Sequence, residues 1–530
     1  MRIDPAIFRL YPVDVRKFSE LASIDLTRPE KLETHTRGIT ARWSVRSAVL
    51  IAAAAFLILS IGYARTKKPW LDEGLNASAA YSLVAHGQFA IPQLEESGMT
   101  ITTRIPEIQH YCYIYGPDYL FAAAAWMKVF GYGLMQIRMF SIMWALLAMA
   151  AWFRIIERLT RDRFAAALGV VLLAVNYQFI VEAANGRFDM MCASLGSIAL
   201  AAYLEFRENN LKKALFLGGL GAAAAFFTHP MGLVYAAALL WIVIYLDRRR
   251  LQPVCAIWFA APWALFIAGV MAWMAPHREI ANAQFSAATH ARWNGLANPL
   301  VSLITDATQR YLYFFWPVTG GGVARLKVLI LVFHLLLIGI ALFSRAVRNS
   351  IAFRALAPCL LIVYCGVALL DSMKWPYYMV HTFLFASAVA AIAAARLRTA
   401  PLKPLVAAAL AALLLVEIGG MLTKIRENSY ARQFAPTIAY IRAHTSPSDY
   451  VEGEMALNFG LGYSDPGFHM DNRMGYYTGV KPALIVTGEF ADIDYFRAHE
   501  PPVYAFIRHR LDEEYRLAAQ FGDYKIYSPR

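Results

Sequence analysis

Asp72 and Glu73 stand side by side directly after the first long apolar segment of the 530-residue chain. Carboxylates set at the edge of such a segment are placed to take a proton from a bound nucleophile. Other groups able to move protons or to hold an anion follow at comparable positions. The long connection 65–138 contains Arg104, Glu107, His110 and Tyr115. Later connections contain Arg187 with Asp189, then His229, then the segment 277–322 with His290, Arg292 and Trp293, and finally Lys374 with Tyr377 and Tyr378. Collected at one face, these carboxylates, imidazoles and cations fit a proton-transfer reaction on an anionic substrate.

Each candidate also has a plainer structural reading. Asp72 is placed to cap a helix beginning near Gly74 to Asn76, and Lys374 is placed to snorkel to the membrane boundary. Arg187 and Asp189, two positions apart, point in different directions on a helix and need not pair. His229, just before Pro230, suits a helix start as well as a ligand contact. Glu107 and His110 at i and i+3, with His229, imitate a metal trio drawn from scattered loops. No cofactor is predicted, a divalent metal being the alternative that this trio leaves open.

The elements that must position these groups belong to a membrane. With 58% hydrophobic and 16% charged residues, the chain is too apolar for a soluble globule of its length. Between 48 and 422 we count eleven apolar runs near the length of about 20 residues that crosses a bilayer, among them 164–181, 231–246 and 328–344. Each is predicted to be a helix, because lipid cannot satisfy free backbone groups. The stretch 119–130 is too short to cross and reads as interfacial or re-entrant. Basic residues recur in every second connection, for example Arg158, Arg161 and Arg163, then Arg248, Arg249 and Arg250, which puts the amino terminus on the cytoplasmic side. The net charge of +13 is then a topology signal and asks for no nucleic-acid partner. Arg65, Lys67 and Lys68 on the outer side depart from the pattern. Residues 1–46 read as a polar segment without a signal peptide, and only Cys112 of the five cysteines lies outside a span, so no disulfide framework is expected.

The predicted class is an all-α polytopic membrane protein, with outer-side interfacial helices in the first loop and a small carboxy-terminal α/β soluble domain. Its parts are a cytoplasmic segment 1–47, a membrane domain 48–422 with outer loops 65–138 and 276–324, and a periplasmic domain 423–530. In the last, helices are predicted at 430–443 and 511–520, and strands near 450–454, 483–487 and 524–527. An odd number of spans puts this part outside.

Five segments in order carry a family resemblance: Trp70-Leu71-Asp72-Glu73-Gly74, Tyr115-Gly116-Pro117-Asp118-Tyr119, Gly186-Arg187-Phe188-Asp189, Thr228-His229-Pro230-Met231-Gly232-Leu233 and Lys374-Trp375-Pro376-Tyr377-Tyr378. Over 70–395 the chain resembles class C membrane-fold glycosyltransferases that use polyprenyl-phosphate sugars, the group with protein O-mannosyltransferases and the lipid A aminoarabinose transferase. The resemblance implies inverting transfer of a sugar from a donor such as an undecaprenyl-phosphate sugar to a lipid, glycan or protein hydroxyl, at the outer face of a bacterial cytoplasmic membrane. It implies Asp72 as base with Glu73 beside it, and Lys374, Tyr378, Tyr115 and Arg187 at the donor phosphate. Asp189, His229, His110 and Arg292 are implied as further site positions, and the segment 277–322 as a loop closing over the donor. Relatives often carry Lys or His followed by two prolines where this chain has Tyr115, Gly116 and Pro117, so a role carried by that cation does not transfer and Tyr115 is left to hydrogen-bond. Two other readings stand beside this one: a lipid-linked-glycan ligase or polymerase with a diphosphate donor, and a lipid or ion transporter. Against transport, no inverted repeat is visible, and Glu417 and His334 are the main ionisable residues at mid-membrane depth.

Overall fold

A computed structural model of the chain describes residues 29–95, 105–290, 296–317, 322–398, 400–463, 468–488 and 493–530. It divides into two compact units, Met1–Leu50 and Ile51–Arg530, and apart from the start of the first span the elements discussed below lie in the second.

Among the described residues, eight helices are long and apolar enough to cross a membrane, or nine if a bent pair counts as one span. The count of eleven is not reached by this measure. All eleven runs are helical, but 231–246 and 328–344 form helices of 16 residues each, Gly232–Asp247 and Val328–Phe343. At 1.5 Å per residue these reach about 24 Å, short of a hydrocarbon core of about 30 Å. The run 164–181 is broken into α1 (Arg163–Val175) and α2 (Tyr177–Ala183), which are bent by 65°. The break has a local cause in Asn176, whose short amide competes for backbone groups. Its side chain accepts the Phe179 N–H at 2.9 Å and donates to Glu417 Oε1 at 2.8 Å. Glu417 Oε2 accepts the Tyr177 N–H at 2.6 Å. A carboxylate from a late helix thus closes the opened backbone of an early one.

Two short helices fill the first outer loop, Leu71–His86 and Pro117–Phe130. The second has 14 residues, begins with Pro at its first position and is too short to span. Further on, the helix Lys403–Glu427 passes through one wide turn into Ala435–His444 within a single 42-residue candidate span, so the chain has no break at 422.

The last hundred residues build one five-stranded sheet, β1 (Val451–Gly453), β2 (Phe468–His469), β3 (Leu484–Thr487), β4 (Tyr515–Phe521) and β5 (Tyr524–Pro529), in the order β2-β1-β3-β5-β4. β1 pairs parallel with β2 and β3, while β5 pairs antiparallel with β3 and β4. Of residues 511–520, predicted as a helix, only 511–514 are helical, in the wide turn Arg510–Glu514, and the edge strand β4 follows. Pairing with β5 overrides local propensity there.

This sheet shares its core with the first outer loop. Leu75, Ile91, Ile108 and Tyr119 of the loop pack in one apolar cluster with Met455, Val486 and Ile526 of the sheet region, and with Phe188 of the membrane part. Gly74 makes the contact possible, because a Cβ there would lie 2.4 Å from the Met455 carbonyl oxygen. Backbone bonds from Glu95 N–H to Met470 O and from Met470 N–H to Gln93 O, 3.1 and 2.8 Å, add the loop to the sheet. Residues 423–530 pack with the rest of the chain within one compact unit, 51–530.

Candidate active site

The helix Leu71–His86 starts one residue after Trp70, which puts Asp72 and Glu73 in its first turn, next to the unpaired N–H groups that favour negative charge. The two side chains then go to different places. Glu73 is fully buried and every carboxylate lone pair is used. Arg138 donates to it through Nε at 2.7 Å and Nη2 at 2.8 Å, Gly186 N–H at 2.9 Å and Trp70 N–H at 2.8 Å. Burial alone would raise the pKa of this carboxyl, but the charges of Arg138 and Lys67 hold it down to about 2. Glu73, grouped with Asp72 as catalytic in the sequence, thus has no oxygen left to take a proton. The capping role foreseen for Asp72 also falls to Glu73, which closes the Trp70 end of the helix.

The same Arg138 donates to the carbonyls of Lys67 and Lys68 at 2.9 and 3.1 Å and to that of Ala64. The end of the first span is thereby tied to the acidic turn.

Asp72 keeps 30% of its side chain exposed. Its Oδ2 is paired with Arg187 Nη1, and among the described residues Oδ1 has no partner. Arg187 is buried and also pairs through Nε with Asp189 Oδ2 at 2.8 Å. The expectation that Arg187 and Asp189 need not pair is corrected. Arg187 is the N-cap residue, with φ −120° and ψ 159°, and its extended backbone lets the long side chain fold back onto the helix start. Its guanidinium lies 3.7 Å from the Tyr377 ring centre and 4.9 Å from that of Trp70.

His229 is buried between two rings, stacked on Phe188 at 4.5 Å and on Tyr378 at 5.3 Å. Its Nδ1 accepts the Met231 N–H at 3.3 Å and its Nε2 lies 3.4 Å from the Tyr378 hydroxyl. The helix-start role is thus realised by one nitrogen and a contact with the site by the other. Tyr115 packs against Phe188, ring centres 6.1 Å apart. Gly116 beside it has no room for a side chain, since a Cβ would fall 2.0 Å from the Thr228 carbonyl oxygen. All five sequence motifs therefore meet around Arg187, Phe188, His229 and Tyr377.

Lys374 is in the set but faces inward. Its φ of +58° is a left-handed conformation uncommon for a lysine. The buried ammonium donates to Ser302 Oγ at 2.8 Å and to the Ala368 carbonyl, with Asp306 Oδ1 at 3.7 Å. Arg310 pairs with Asp306 at 3.0 Å and with Asp371. Burial lowers the Lys374 pKa, opposed by Asp306, and burial raises that of Asp306 to about 6. Lys374, the sequence candidate for the donor phosphate, is here one corner of a neutral buried quartet. Asp306, Arg310, Asp371 and Arg138 were missed in the sequence. The signal they carried was a charge isolated in or beside an apolar run.

His110 is exposed in the first loop and touches none of these residues among the described ones. Glu107, His110 and His229 do not gather, and among the described residues no group of three or more His, Cys, Asp or Glu side chains is arranged to hold a metal ion. Arg292 and Arg104 lie outside the described residues, as do Trp293 and the side chain of His290.

Residues 116–275 match the family described as dolichyl-phosphate-mannose-protein mannosyltransferase. No curated protein matches the chain. Among solved structures, ArnT from Cupriavidus metallidurans bound to undecaprenyl phosphate superposes with a TM-score of 0.56 at 15% identity, over 91% of this chain and 97% of that one. Its apo form gives 0.54 at 14%, over 92% and 98%. The oligosaccharyltransferase AglB from Archaeoglobus fulgidus, in complex with an inhibitory peptide and a dolichol-phosphate, gives 0.55 at 13%, over 90% and 69%.

Proposed function

We propose that this chain, which has the class C glycosyltransferase fold of those structures, transfers a sugar from a polyprenyl-phosphate donor to an acceptor hydroxyl. The observation that carries the proposal is the division of labour between the two acids: Glu73 is saturated and buried, while Asp72 is half-exposed with one free oxygen.

Asp72 Oδ1 takes the proton as the acceptor oxygen attacks the anomeric carbon. The new C–O bond forms as the bond to the lipid phosphate breaks, and attack opposite the leaving group inverts the configuration. Arg187 holds the other oxygen of Asp72, and its second carboxylate, Asp189, keeps the guanidinium in place. Tyr115, Tyr378 and His229 line the same locus, beside the sugar and phosphate. The reaction takes place at the outer face of a bacterial cytoplasmic membrane, with the amino terminus on the cytoplasmic side. The basic connections support this orientation. The acceptor is a lipid, glycan or protein hydroxyl.

The test is the mass of the lipid released when the purified, lipid-reconstituted protein is given labelled donors. A polyprenyl monophosphate, formed by wild type and not by Asp72→Asn, is the expected product. A diphosphate would instead establish a ligase or polymerase, and an unlabelled acceptor with lipid moved across the bilayer would establish a transporter.

A further inference from the structure

With Lys374 turned inward, the donor phosphate needs another cation, and the candidates near Asp72 can be compared one by one. Arg138 and Arg187 are buried and already paired with carboxylates. Lys68 is engaged with Asp523 and lies 5.5 Å from the Tyr524 ring centre. Arg65 is exposed on the helix. Lys67 differs from all of these. It is half-buried, one residue past the end of the first span, whose Ile58 is 72% exposed as a lipid-facing residue would be.

Its backbone carbonyl is fixed by Arg138, and its ammonium sits near the rings of Trp70 at 5.5 Å and Tyr63 at 5.9 Å. An ammonium has three donors. Among the described residues, Asn185 Oδ1 is the one hydrogen-bond acceptor that this ammonium has, next to the Gly186-Arg187 turn.

We propose that Lys67 is the cation that receives the phosphate of the lipid-linked donor at the outer end of the first span, beside Asp72 and Arg187. This rests on the donor class assigned above. A compact, partly desolvated ammonium at the hydrocarbon boundary suits a headgroup whose tail stays in lipid.

The charged groups that face Lys67 are Glu73 from its own turn, Arg138 from Leu134–Thr160, Glu182 from α2 and Arg187 from the next turn. Burial, with the two arginines, lowers the Lys67 pKa to about 8 against the pull of the two glutamates. The second ionisation of a phosphate monoester lies near pH 6. Affinity for undecaprenyl phosphate, a monoester, should then fall as pH rises from 7 to 9, while the phosphate charge stays nearly constant.

The experiment measures binding of undecaprenyl phosphate to the full-length protein in nanodiscs, for wild type, Lys67→Met and Lys67→Arg, with undecaprenol and inorganic phosphate as further probes. Lys67→Met should weaken undecaprenyl phosphate about tenfold or more and leave undecaprenol unchanged. Lys67→Arg should bind within about threefold of wild type and lose the fall above pH 7, since arginine keeps its charge. Wild-type binding by Lys67→Met, or an equal loss for both lipids, would overturn the assignment while leaving the donor class intact. Displacement by inorganic phosphate at equal concentration would overturn it in favour of a free-phosphate site. A wild type that binds no undecaprenyl phosphate at all would overturn the donor class as well.

Discussion

Neighbouring carboxylates on one helix turn can have opposite duties, and the environment decides which. Glu73 accepts four N–H bonds and faces a buried guanidinium, so replacing it by Gln leaves Arg138 uncompensated. Glu73→Gln should destabilise the protein by about 3–5 kcal/mol, read as a loss of thermal stability in detergent. Asp72→Asn should change stability by less than about 1 kcal/mol, because Arg187 keeps Asp189. The pH dependence has a definite sign. The folded pKa of Glu73 lies near 2, below its ordinary value of about 4.3. Its contribution is therefore complete above about pH 4.5 and is lost as pH falls toward 2. Thermal stability should drop more steeply between pH 5 and 3 in wild type than in Glu73→Gln, and equal slopes would contradict the clasp. Asp72 was legible in the sequence because an acid at the end of an apolar run is conspicuous. The difference between Asp72 and Glu73 was not, since Arg138 and Gly186, which decide it, are 65 and 113 residues away. The partners of Lys374 were hidden for the same reason, since Asp306 lies 68 residues earlier in the chain.

At the level of elements, two joints place the acidic turn. One is the Gly74 contact with Met455, where Gly74→Ala should push the helix Leu71–His86 off the sheet. Increased proteolysis of residues 450–460 in the variant, with the membrane helices intact, would be the sign; an unchanged digest would count against the contact. The other is the broken helix at Asn176. Glu417→Ala removes the acceptor for two buried N–H groups and should cost about 1–3 kcal/mol, while Glu417→Gln, which keeps one acceptor, should cost less. Apolar periodicity showed where helices run, and it showed the shortness of Pro117–Phe130. It did not show the break, because Asn176 differs from its apolar neighbours by a single polar side chain. Strand β4 was hidden because its residues favour helix until β5 pairs with them.

On the scale of the whole molecule, the sheet and the first outer loop share one core, which the change to polar composition after residue 422 did not reveal. Met455, Val486 and Ile526 bury the same cluster that Leu75 and Ile108 bury from the loop carrying Asp72. Deleting residues 428–530 should therefore abolish transfer and lower stability together, whereas retained transfer would show that the sheet only covers the catalytic part. The central claim is narrower: an outward-facing acid, Asp72, activates an acceptor against a lipid-phosphate sugar. The most direct measurement is transfer of labelled sugar from a panel of polyprenyl-phosphate donors to membrane lipid and protein fractions, by reconstituted wild type and Asp72→Asn. Label entering one fraction with wild type and absent with the folded variant is the expected result. Equal labelling by both proteins would contradict it.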